Sequence, residues 1–350
     1  MYLRLALVLV AAAAIGCASK SPAGNGGGNG TGGNGTGGNG TGGNGGGGDG
    51  TGGSAGMGGG GTGGTGGGGG APAPSCTGLS APAMADDTWT IMSGGLSRTA
   101  EVHVPSSYDP TVGMPLVLDF HGYSSNGTEE ALLTLMNNKA DAVGFISIHP
   151  EGTSSSWNAG ACCGQAVTDM VDDIGFVKDL LDNAAGKLCV DTHRIYVTGM
   201  SNGGFLSNRI GCELADRIAA IAPVAGVDGM PTCMPSRPMP VIHFHGTADP
   251  LVPYNGDATM GFISVADDFA GWAMRDGCTD AMPATTFTNG DSSCASYLNC
   301  AGGAQVTLCT VQNGGHTWPG GTPVPSLGYT TTDLSATDAM WSFFQAHPLP

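Results

Sequence analysis

The sequence predicts an α/β domain in which a mostly parallel sheet begins with antiparallel strands and carries helices on both faces. The 280 residues from Ala71 to Pro350 are enough for one large domain of this class. Short, mostly apolar runs recur along them, as expected for strands that are buried on both faces. These runs alternate with helix-like stretches, which favours parallel strands covered by helices.

The first two strands differ from the later ones. Residues 88–92 and 98–105 alternate apolar and polar side chains, which predicts an antiparallel pair with one solvated face. The later predicted strands cover residues 115–120, 145–148, 194–198, 218–222, 239–244 and 305–311. The predicted helices cover residues 129–143, 171–188, 202–214, 263–276 and 336–346.

Residues 1–17 have the pattern of a secretory signal. Arg4 precedes an apolar run over residues 5–15, which is too short for a bilayer span of about 20 residues. The segment Ala14-Ile-Gly-Cys17 resembles a bacterial lipoprotein signal, in which the cysteine is lipidated. We therefore expect a secreted protein held at the outer membrane or cell surface through Cys17. The alternative is cleavage after a small residue and free release.

Residues 18–75 are expected to form a linker ahead of the predicted α/β domain at 76–350. Half of the 64 glycines lie in residues 24–70, where Thr-Gly-Gly-Asn-Gly is repeated three times from Thr31 to Gly45. Such a segment has almost no apolar surface to bury, so it cannot offset the entropy cost of becoming ordered. We expect a disordered tether of about 40 Å root-mean-square span.

The charge of the chain argues against binding to nucleic acid, and the spacing of its cysteines argues against a zinc site. Residues 71–350 hold nine Lys and Arg against 27 Asp and Glu, and this excess of negative charge disfavours binding to nucleic acid. Of the eleven cysteines, ten remain after Cys17, an even number that indicates disulfides in an oxidising compartment. No paired CxxC spacing is present, so we expect no zinc site. Candidate disulfides are Cys294–Cys300 and Cys278–Cys309, with the adjacent Cys162 and Cys163 pairing outward.

The segment Gly199-Met-Ser-Asn-Gly203 has the G-x-S-x-G pattern between a predicted strand and a predicted helix. In that context the pattern marks the nucleophile elbow of the α/β-hydrolase fold, a sharp turn that exposes the serine hydroxyl above the sheet. The sequence therefore predicts an α/β-hydrolase fold with Ser201 as the nucleophile.

A serine hydroxyl needs a base, and His316 is the best candidate among eight histidines. It alone lies in a loop after the last predicted strand, in agreement with the chain order of nucleophile, acid and histidine in this fold. Six others lie in or beside predicted strands and one in the C-terminal tail: His103, His121, His149, His193, His243, His245 and His347. His243 and His245 alternate on one strand, and we expect them to pack rather than to bind a metal.

The acid that orients the histidine is expected to be Asp249, in a turn directly after a buried strand. Asp228 and Asp257 are the alternatives. The oxyanion of the tetrahedral intermediate needs two N–H donors. We expect them from the backbone of Asn202, next to the nucleophile, and of Tyr123, in the loop after the strand at 115–120. This chemistry requires no cofactor or metal.

These motifs together resemble the extracellular polyhydroxybutyrate depolymerase and feruloyl esterase family, which is carbohydrate esterase family 1-like. The resemblance covers residues 90–350. It depends on His121-Gly, Ser156-Trp-Asn-Ala-Gly-Ala-Cys-Cys-Gly164, Val171-Asp-Asp-Ile-Gly-Phe176, the serine elbow, His245-Gly-Thr-Ala-Asp249 and Gly315-His-Thr-Trp-Pro-Gly320. It implies the triad Ser201, Asp249 and His316, acting on feruloyl or acetyl esters of plant polysaccharides or on hydroxyalkanoate polyesters.

Three aromatic residues are relevant to the expected substrate pocket and cleft. Tyr123 stands where many family members carry a small residue or cysteine, so the acyl pocket is expected to differ. Trp157 and Trp318 are candidates for lining the cleft, since aromatic faces suit sugars and aromatic acids. Ordinary packing is the alternative for both indoles. Asp172 and Asp173 begin a predicted helix, where carboxylates favour the helix dipole.

The expected function is thus a secreted serine esterase whose substrate is polymeric or derived from a polymer, with feruloyl or acetyl esters of plant polysaccharide first. A polyester depolymerase is the main alternative. A serine peptidase and a non-catalytic binding lipoprotein on the same scaffold are the others.

Overall fold

A computed structural model of the chain describes residues 76–350. The predictions for the signal segment, for Cys17 and for the linker lie outside the described residues. No helix in the described part of the chain combines the length and the apolar character that a membrane crossing needs.

The domain is built on one ten-stranded sheet with the strand order β1-β2-β4-β3-β5-β6-β7-β10-β9-β8. The strands are β1 Asp86–Ser93, β2 Leu96–His103, β3 Met114–Phe120, β4 Ile146–Pro150, β5 Val190–Met200, β6 Ala220–Val224, β7 Val241–Gly246, β8 Ala284–Asn289, β9 Ser292–Tyr297 and β10 Val306–Val311. Strands β4, β3, β5, β6, β7 and β10 are parallel, and β1 and β2 add to this block in antiparallel fashion. The predicted fold class is confirmed.

The helices are α1 Gly127–Thr134, α2 Met136–Val143, α3 Gln165–Thr168, α4 Asp173–Lys187, α5 Asn202–Glu213, α6 Val265–Arg275 and α7 Ala336–Ala346. They cover both faces of the sheet. Leu116 and Leu118 of β3 belong to the core beneath α4, α5 and α6, while Val117 between them belongs to the core beneath α2 and α7. Because successive residues of a parallel strand face these two cores in turn, the strand is a continuous apolar run in the sequence.

One predicted helix is divided. The expected helix over residues 129–143 is broken at Leu135, which adopts the left-handed conformation (φ 58°, ψ 26°) between α1 and α2. At the break, Thr134 makes two hydrogen bonds to other parts of the fold. The carbonyl of Thr134 accepts from Thr337 Oγ1 at 2.7 Å, and the Thr134 hydroxyl donates to Asp119 Oδ2 at 2.9 Å. Tertiary contacts therefore override the helical periodicity here.

The antiparallel hairpin β8–β9 at the far edge of the sheet was not predicted. All six residues of β8 are exposed, so no apolar alternation marks the strand. In β9 the buried positions include serine and cysteine rather than large apolar residues.

The prediction that the ten cysteines after Cys17 form disulfides is confirmed, but the predicted pairings are wrong. The five disulfides of the described residues are Cys76–Cys189, Cys162–Cys163, Cys212–Cys233, Cys278–Cys300 and Cys294–Cys309. Cys294 and Cys309 lie directly opposite each other on β9 and β10, a register that depends on the unpredicted hairpin. Cys278 and Cys300 are brought together where the backbone N–H of Thr279 donates to the carbonyl of Asn299 at 2.9 Å. The adjacent cysteines at 162 and 163 bridge each other rather than pairing outward.

Candidate active site

Ser201 lies in a sharp turn between β5 and α5. Its backbone angles are φ 57° and ψ −120°, a conformation that a non-glycine residue rarely adopts. A Cβ on Gly199 or Gly203 would overlap the carbonyl oxygen of Phe120, so the elbow requires glycine at both positions. The strained turn is held by two backbone hydrogen bonds, from Ser201 N–H to the carbonyl of Val224 and from Phe205 N–H to that of Ser201, both 2.9 Å.

His316 and Asp249 are joined although 67 residues separate them. The imidazole Nδ1 lies 2.8 Å from Asp249 Oδ2, and both residues are almost fully buried. The other carboxylate oxygen, Oδ1, accepts the N–H groups of Leu251 and Val252 at 2.9 Å each. Burial alone would raise the pKa of Asp249, but His316 and these hydrogen bonds outweigh burial and lower that pKa. Asp249 is therefore ionised at neutral pH, and it fixes His316 with Nδ1 protonated and Nε2 free to accept a proton.

The alternative acids have other partners. Asp228 Oδ2 accepts Arg275 Nη2 at 2.6 Å, and Asp257 Oδ1 accepts the N–H of Thr259 in its own turn at 2.8 Å. Within residues 76–350, neither carboxylate is hydrogen-bonded to a histidine.

The two atoms between which the sequence predicts a proton transfer have no hydrogen-bond partner in the described residues. Among residues 76–350, the Ser201 hydroxyl and His316 Nε2 have no hydrogen-bond partner, yet neither atom is among those sealed from solvent. Both residues follow the carboxyl ends of parallel strands, Ser201 after β5 and His316 after β10, with β6 and β7 between these two strands. Catalytic hydrogen bonds commonly tighten only when substrate binds.

Two backbone N–H groups are free beside the serine. A Cβ on Gly122 would contact Ser201 Cβ at 3.4 Å, so the loop after β3 passes directly by the elbow. Within the described chain, the N–H groups of Tyr123 and Asn202 donate to no backbone or side-chain acceptor. Donors without a partner at this position can stabilise an oxyanion. The ring of Tyr123 is 41 % exposed and packs over Gly164.

The side chain of Asn202 fastens the elbow to a neighbouring loop. Its Oδ1 accepts the N–H of Trp157 at 2.7 Å, and its Nδ2 donates to the carbonyl of Trp157 at 3.0 Å. The indole Nε1–H of Trp157 donates to the carbonyl of His121 at 2.9 Å. Trp157 thus links the two segments that carry the free N–H groups of Asn202 and Tyr123.

Both tryptophans named as cleft candidates are fully buried. Trp157 makes an edge contact with Phe120, and Trp318 donates from Nε1 to the hydroxyl of Thr337 at 2.9 Å. This burial supports packing, the alternative explanation, rather than direct substrate contact. Asp172 caps α4 by accepting the N–H of Gly175 at 2.8 Å, and Asp173 forms a buried ion pair with Arg98 at 2.9 Å.

A buried acid beside the site could not be anticipated. Glu130 on α1 is 1 % exposed and interacts with the backbone N–H groups of Met200 and Gly122, immediately ahead of Ser201 and Tyr123. Burial, and then the neighbouring Asp119, raise the pKa of Glu130 well above its usual range. Burial also raises the pKa of Asp119 to about 7. In sequence, Glu130 is one of two acidic residues in the first turn of a helix, which is an ordinary pattern.

The expectation that His243 and His245 pack in the core is consistent with their burial, and they also hydrogen-bond to each other at 3.1 Å. The one group of potential metal ligands in the described residues consists of Cys212, Asp228 and Cys233. Its two sulfur atoms are joined in a disulfide, so they are not available as thiolate ligands.

Among known proteins, the chain is similar in sequence to esterases. The chain is 36 % identical over 238 residues to feruloyl esterase B of Piromyces equi, covering 63 % of this chain and 42 % of that protein. It is 30 % identical over 310 residues to the putative esterase NocK of Nocardia uniformis subsp. tsuyamanensis, covering 78 % of this chain and 90 % of NocK. No family model matches the chain.

Among solved structures, an acetyl xylan esterase from Aspergillus awamori superposes with a TM-score of 0.54 at 15 % identity, covering 74 % of this chain and 99 % of that one. At this identity the likeness establishes the fold alone. The sequence relatives show that the chain is a carboxylic ester hydrolase that belongs to the feruloyl esterase family, and the structural likeness shows the α/β-hydrolase fold.

Proposed function

We propose that the protein hydrolyses esters through an acyl-enzyme formed on Ser201, with His316 as the general base and Asp249 as its orienting acid. The observation that supports this most strongly is the 2.8 Å contact between His316 Nδ1 and Asp249 Oδ2. It leaves the opposite ring nitrogen free at the edge of the sheet where the serine elbow lies.

In the first half-reaction, Ser201 Oγ attacks the ester carbonyl carbon while His316 Nε2 takes the hydroxyl proton. The negative charge that develops on the carbonyl oxygen is stabilised by the N–H groups of Tyr123 and Asn202. The tetrahedral intermediate then collapses, the bond to the alcohol oxygen breaks, and His316 returns the proton to the leaving alcohol. Water repeats the sequence and releases the acid.

For the substrate we propose feruloyl or acetyl esters of plant polysaccharide. Relatives and structural neighbours carry the names feruloyl esterase B and acetyl xylan esterase. The chain spans 42 % of the length of feruloyl esterase B, so the substrate of that larger protein is transferred here only as a proposal.

We also propose that the domain at 76–350 is secreted behind a signal at 1–17, lipidated on Cys17 and tethered by residues 18–75. The five disulfides support an oxidising compartment. The lipoprotein-type segment ending at Cys17 supports membrane attachment.

The test compares hydrolysis of methyl ferulate, acetylated xylan and short hydroxybutyrate oligomers by the wild type and by Ser201→Ala. We expect methyl ferulate or acetylated xylan to be the preferred substrate and the variant to lose the activity. Preference for the hydroxybutyrate oligomers would instead assign a polyester depolymerase. Full activity in Ser201→Ala would overturn the proposed mechanism.

A further inference from the structure

Next to Asp249 lies a row of buried polar side chains that the proposed reaction does not use. His245 Nε2 lies 3.5 Å from Asp249 Oδ2, His245 Nδ1 lies 3.1 Å from His243 Nε2, and His243 Nδ1 lies 3.0 Å from Asp268 Oδ2. His243, His245 and Asp268 are each about 1 % exposed. The row joins β7 to α6 and ends at the proposed catalytic acid.

The protonation of His245 follows from its surroundings. Burial is the main cause that lowers its pKa to about 4, so the ring is neutral at working pH and carries one N–H. Its Nε2 lies 2.9 Å from the carbonyl of Val252, which can only accept a hydrogen bond. The proton is therefore on Nε2, and Nδ1 is an acceptor.

The contact between the two rings determines which nitrogen of His243 carries a proton. Because His245 Nδ1 accepts, the hydrogen bond between the rings must be donated by His243 Nε2–H. The other nitrogen of His243 lies 3.0 Å from Asp268 Oδ2, and neither atom makes a hydrogen bond of ordinary geometry in the described residues. Two buried acceptors 3.0 Å apart would repel each other. A proton must lie between them, either on the ring or on the carboxyl group.

The other carboxylate oxygen of Asp268 accepts the backbone N–H of Asp228 at 3.1 Å. The ring of Tyr254 stands edge-on to His245 at 5.8 Å. The charged groups that face the row are thus Asp249 at one end, Asp268 at the other, and the Asp228–Arg275 pair beyond it.

The consequence concerns the turn that carries Asp249. His245 Nε2–H holds the carbonyl of Val252, while Asp249 Oδ1 accepts the N–H of the same residue at 2.9 Å. The same N–H of His245 also faces the carboxylate oxygen that binds His316. His245 is therefore placed to fix the distance and angle of Asp249 relative to the imidazole of His316.

We propose that Asp268, His243 and His245 are positioning residues for Asp249, and that a proton held between Asp268 and His243 completes the row of contacts from α6 to Asp249. This inference rests on the proposed role of Asp249 as the catalytic acid.

The first test is the ring nitrogen spectrum of protein labelled with ¹⁵N-histidine, assigned with His243→Phe and His245→Phe. We expect His245 to be protonated on Nε2 and bare on Nδ1, and His243 to be protonated on Nε2, at pH 7 and at pH 8. His245 protonated on Nδ1, or His243 bare on Nε2, would overturn the proposal whatever the activity of the enzyme.

The second test uses two substitutions of Asp268 and one control. In Asp268→Asn the amide group supplies a proton to His243, so we expect kcat to stay within about 3-fold of wild type. In Asp268→Leu that proton is lost, and misplacement of Asp249 lowers kcat on the order of 10-fold with KM unchanged. The control is Asp276→Leu, since Asp276 is a buried acid at the end of α6 that accepts the N–H of Met239 at 2.8 Å.

The control Asp276→Leu is expected to lower the free energy of unfolding and to leave the kcat of the folded fraction unchanged. Equal kcat values in Asp268→Leu, Asp268→Asn and Asp276→Leu would refute the positioning role. Failure of the proposed function itself would appear separately, as hydrolysis that persists in Ser201→Ala.

Discussion

At the scale of single residues, the carboxylate of Asp249 decides which nitrogen of His316 carries the proton. An aspartate can only accept at His316 Nδ1, whereas an asparagine can present an N–H there and favour the tautomer in which Nε2 is protonated. That tautomer cannot take the proton of Ser201.

We predict that Asp249→Asn lowers kcat on the order of 10⁴-fold while the protein remains folded. Asp228→Asn is the matched control, because Asp228 is also buried but pairs with Arg275 rather than with a histidine. Steady-state hydrolysis of methyl ferulate by both variants measures the effect. Equal losses in the two variants would mean that Asp249 is not the orienting acid.

Trp157 holds both segments that present free N–H groups, through its own backbone and through its indole. Removing the indole N–H leaves the carbonyl of His121 without this donor and loosens the loop that leads to Tyr123. Oxyanion donors act in the transition state, so their displacement lowers kcat more than it changes KM.

We predict that Trp157→Phe lowers kcat about 10-fold with KM within about 2-fold. The control is Trp272→Phe. Trp272 is equally buried and donates from Nε1 to Asn208 Oδ1 at 2.8 Å, between α6 and α5. A loss confined to stability in both variants would contradict a role for the Trp157 indole in the site.

At the scale of elements, the break between α1 and α2 shows how tertiary contacts shape the loop side of the site. Leu135 has a left-handed backbone, which costs a residue with a Cβ about 1–2 kcal/mol. Glycine adopts this conformation without that cost. The break allows the α1 backbone to end where Thr134 bonds Asp119 and Thr337.

We predict that Leu135→Gly changes the free energy of unfolding by less than about 0.5 kcal/mol, because relief of the left-handed strain offsets the flexibility of glycine. Leu132→Gly, at an exposed position inside α1, should cost about 1 kcal/mol. Urea unfolding of the two variants measures the difference. A larger loss for the variant at residue 135 would show that its backbone is not strained.

The elements that could be predicted from sequence are those whose pattern is local. The parallel strands are marked by apolar runs, and the serine elbow by glycines that the backbone packing requires. The chain order of the fold anticipates the pairing of His316 with Asp249, which the structure brings within hydrogen-bonding distance.

The features that the sequence analysis missed are one hairpin without apolar alternation and the contacts that depend on the packing of separate segments. The strand β8 is exposed along its whole length, although Asn289-Gly290 is a favoured hairpin turn that could have revealed it. The disulfide between Cys294 and Cys309 depends on that hairpin. Glu130 looks like a surface residue of a helix and becomes buried only because α1 packs against the elbow and the loop after β3.

At the scale of the whole molecule, buried titratable groups pull the stability in opposite directions with pH. Burial is the main cause that lowers the pKa of His121 and His245 to about 4. These histidines are neutral in the folded state, and the stability they contribute is lost as pH falls below about 6.5. Burial raises the pKa of Glu130, so its contribution is present below the unfolded pKa of about 4.5 and is lost as pH rises.

We predict that Glu130→Gln removes the loss of stability that Glu130 causes as pH rises. Relative to wild type, the variant should gain at least about 1 kcal/mol of stability between pH 5 and pH 8, since each pKa unit corresponds to about 1.4 kcal/mol. Urea unfolding of both proteins across this range measures the gain. Parallel stability curves would mean that Glu130 is ionised in the folded protein.

The proposed mechanism makes Ser201 the one nucleophile of the protein, with His316 as its base and Asp249 as the orienting acid. The most direct test of this claim is to label the intact protein with a fluorophosphonate and to map the adduct by mass spectrometry of its peptides. We predict a single adduct, on the peptide that contains Ser201, which is absent in Ser201→Ala and forms far more slowly in His316→Ala. An adduct on another residue, with unchanged ester hydrolysis in Ser201→Ala, would contradict the account.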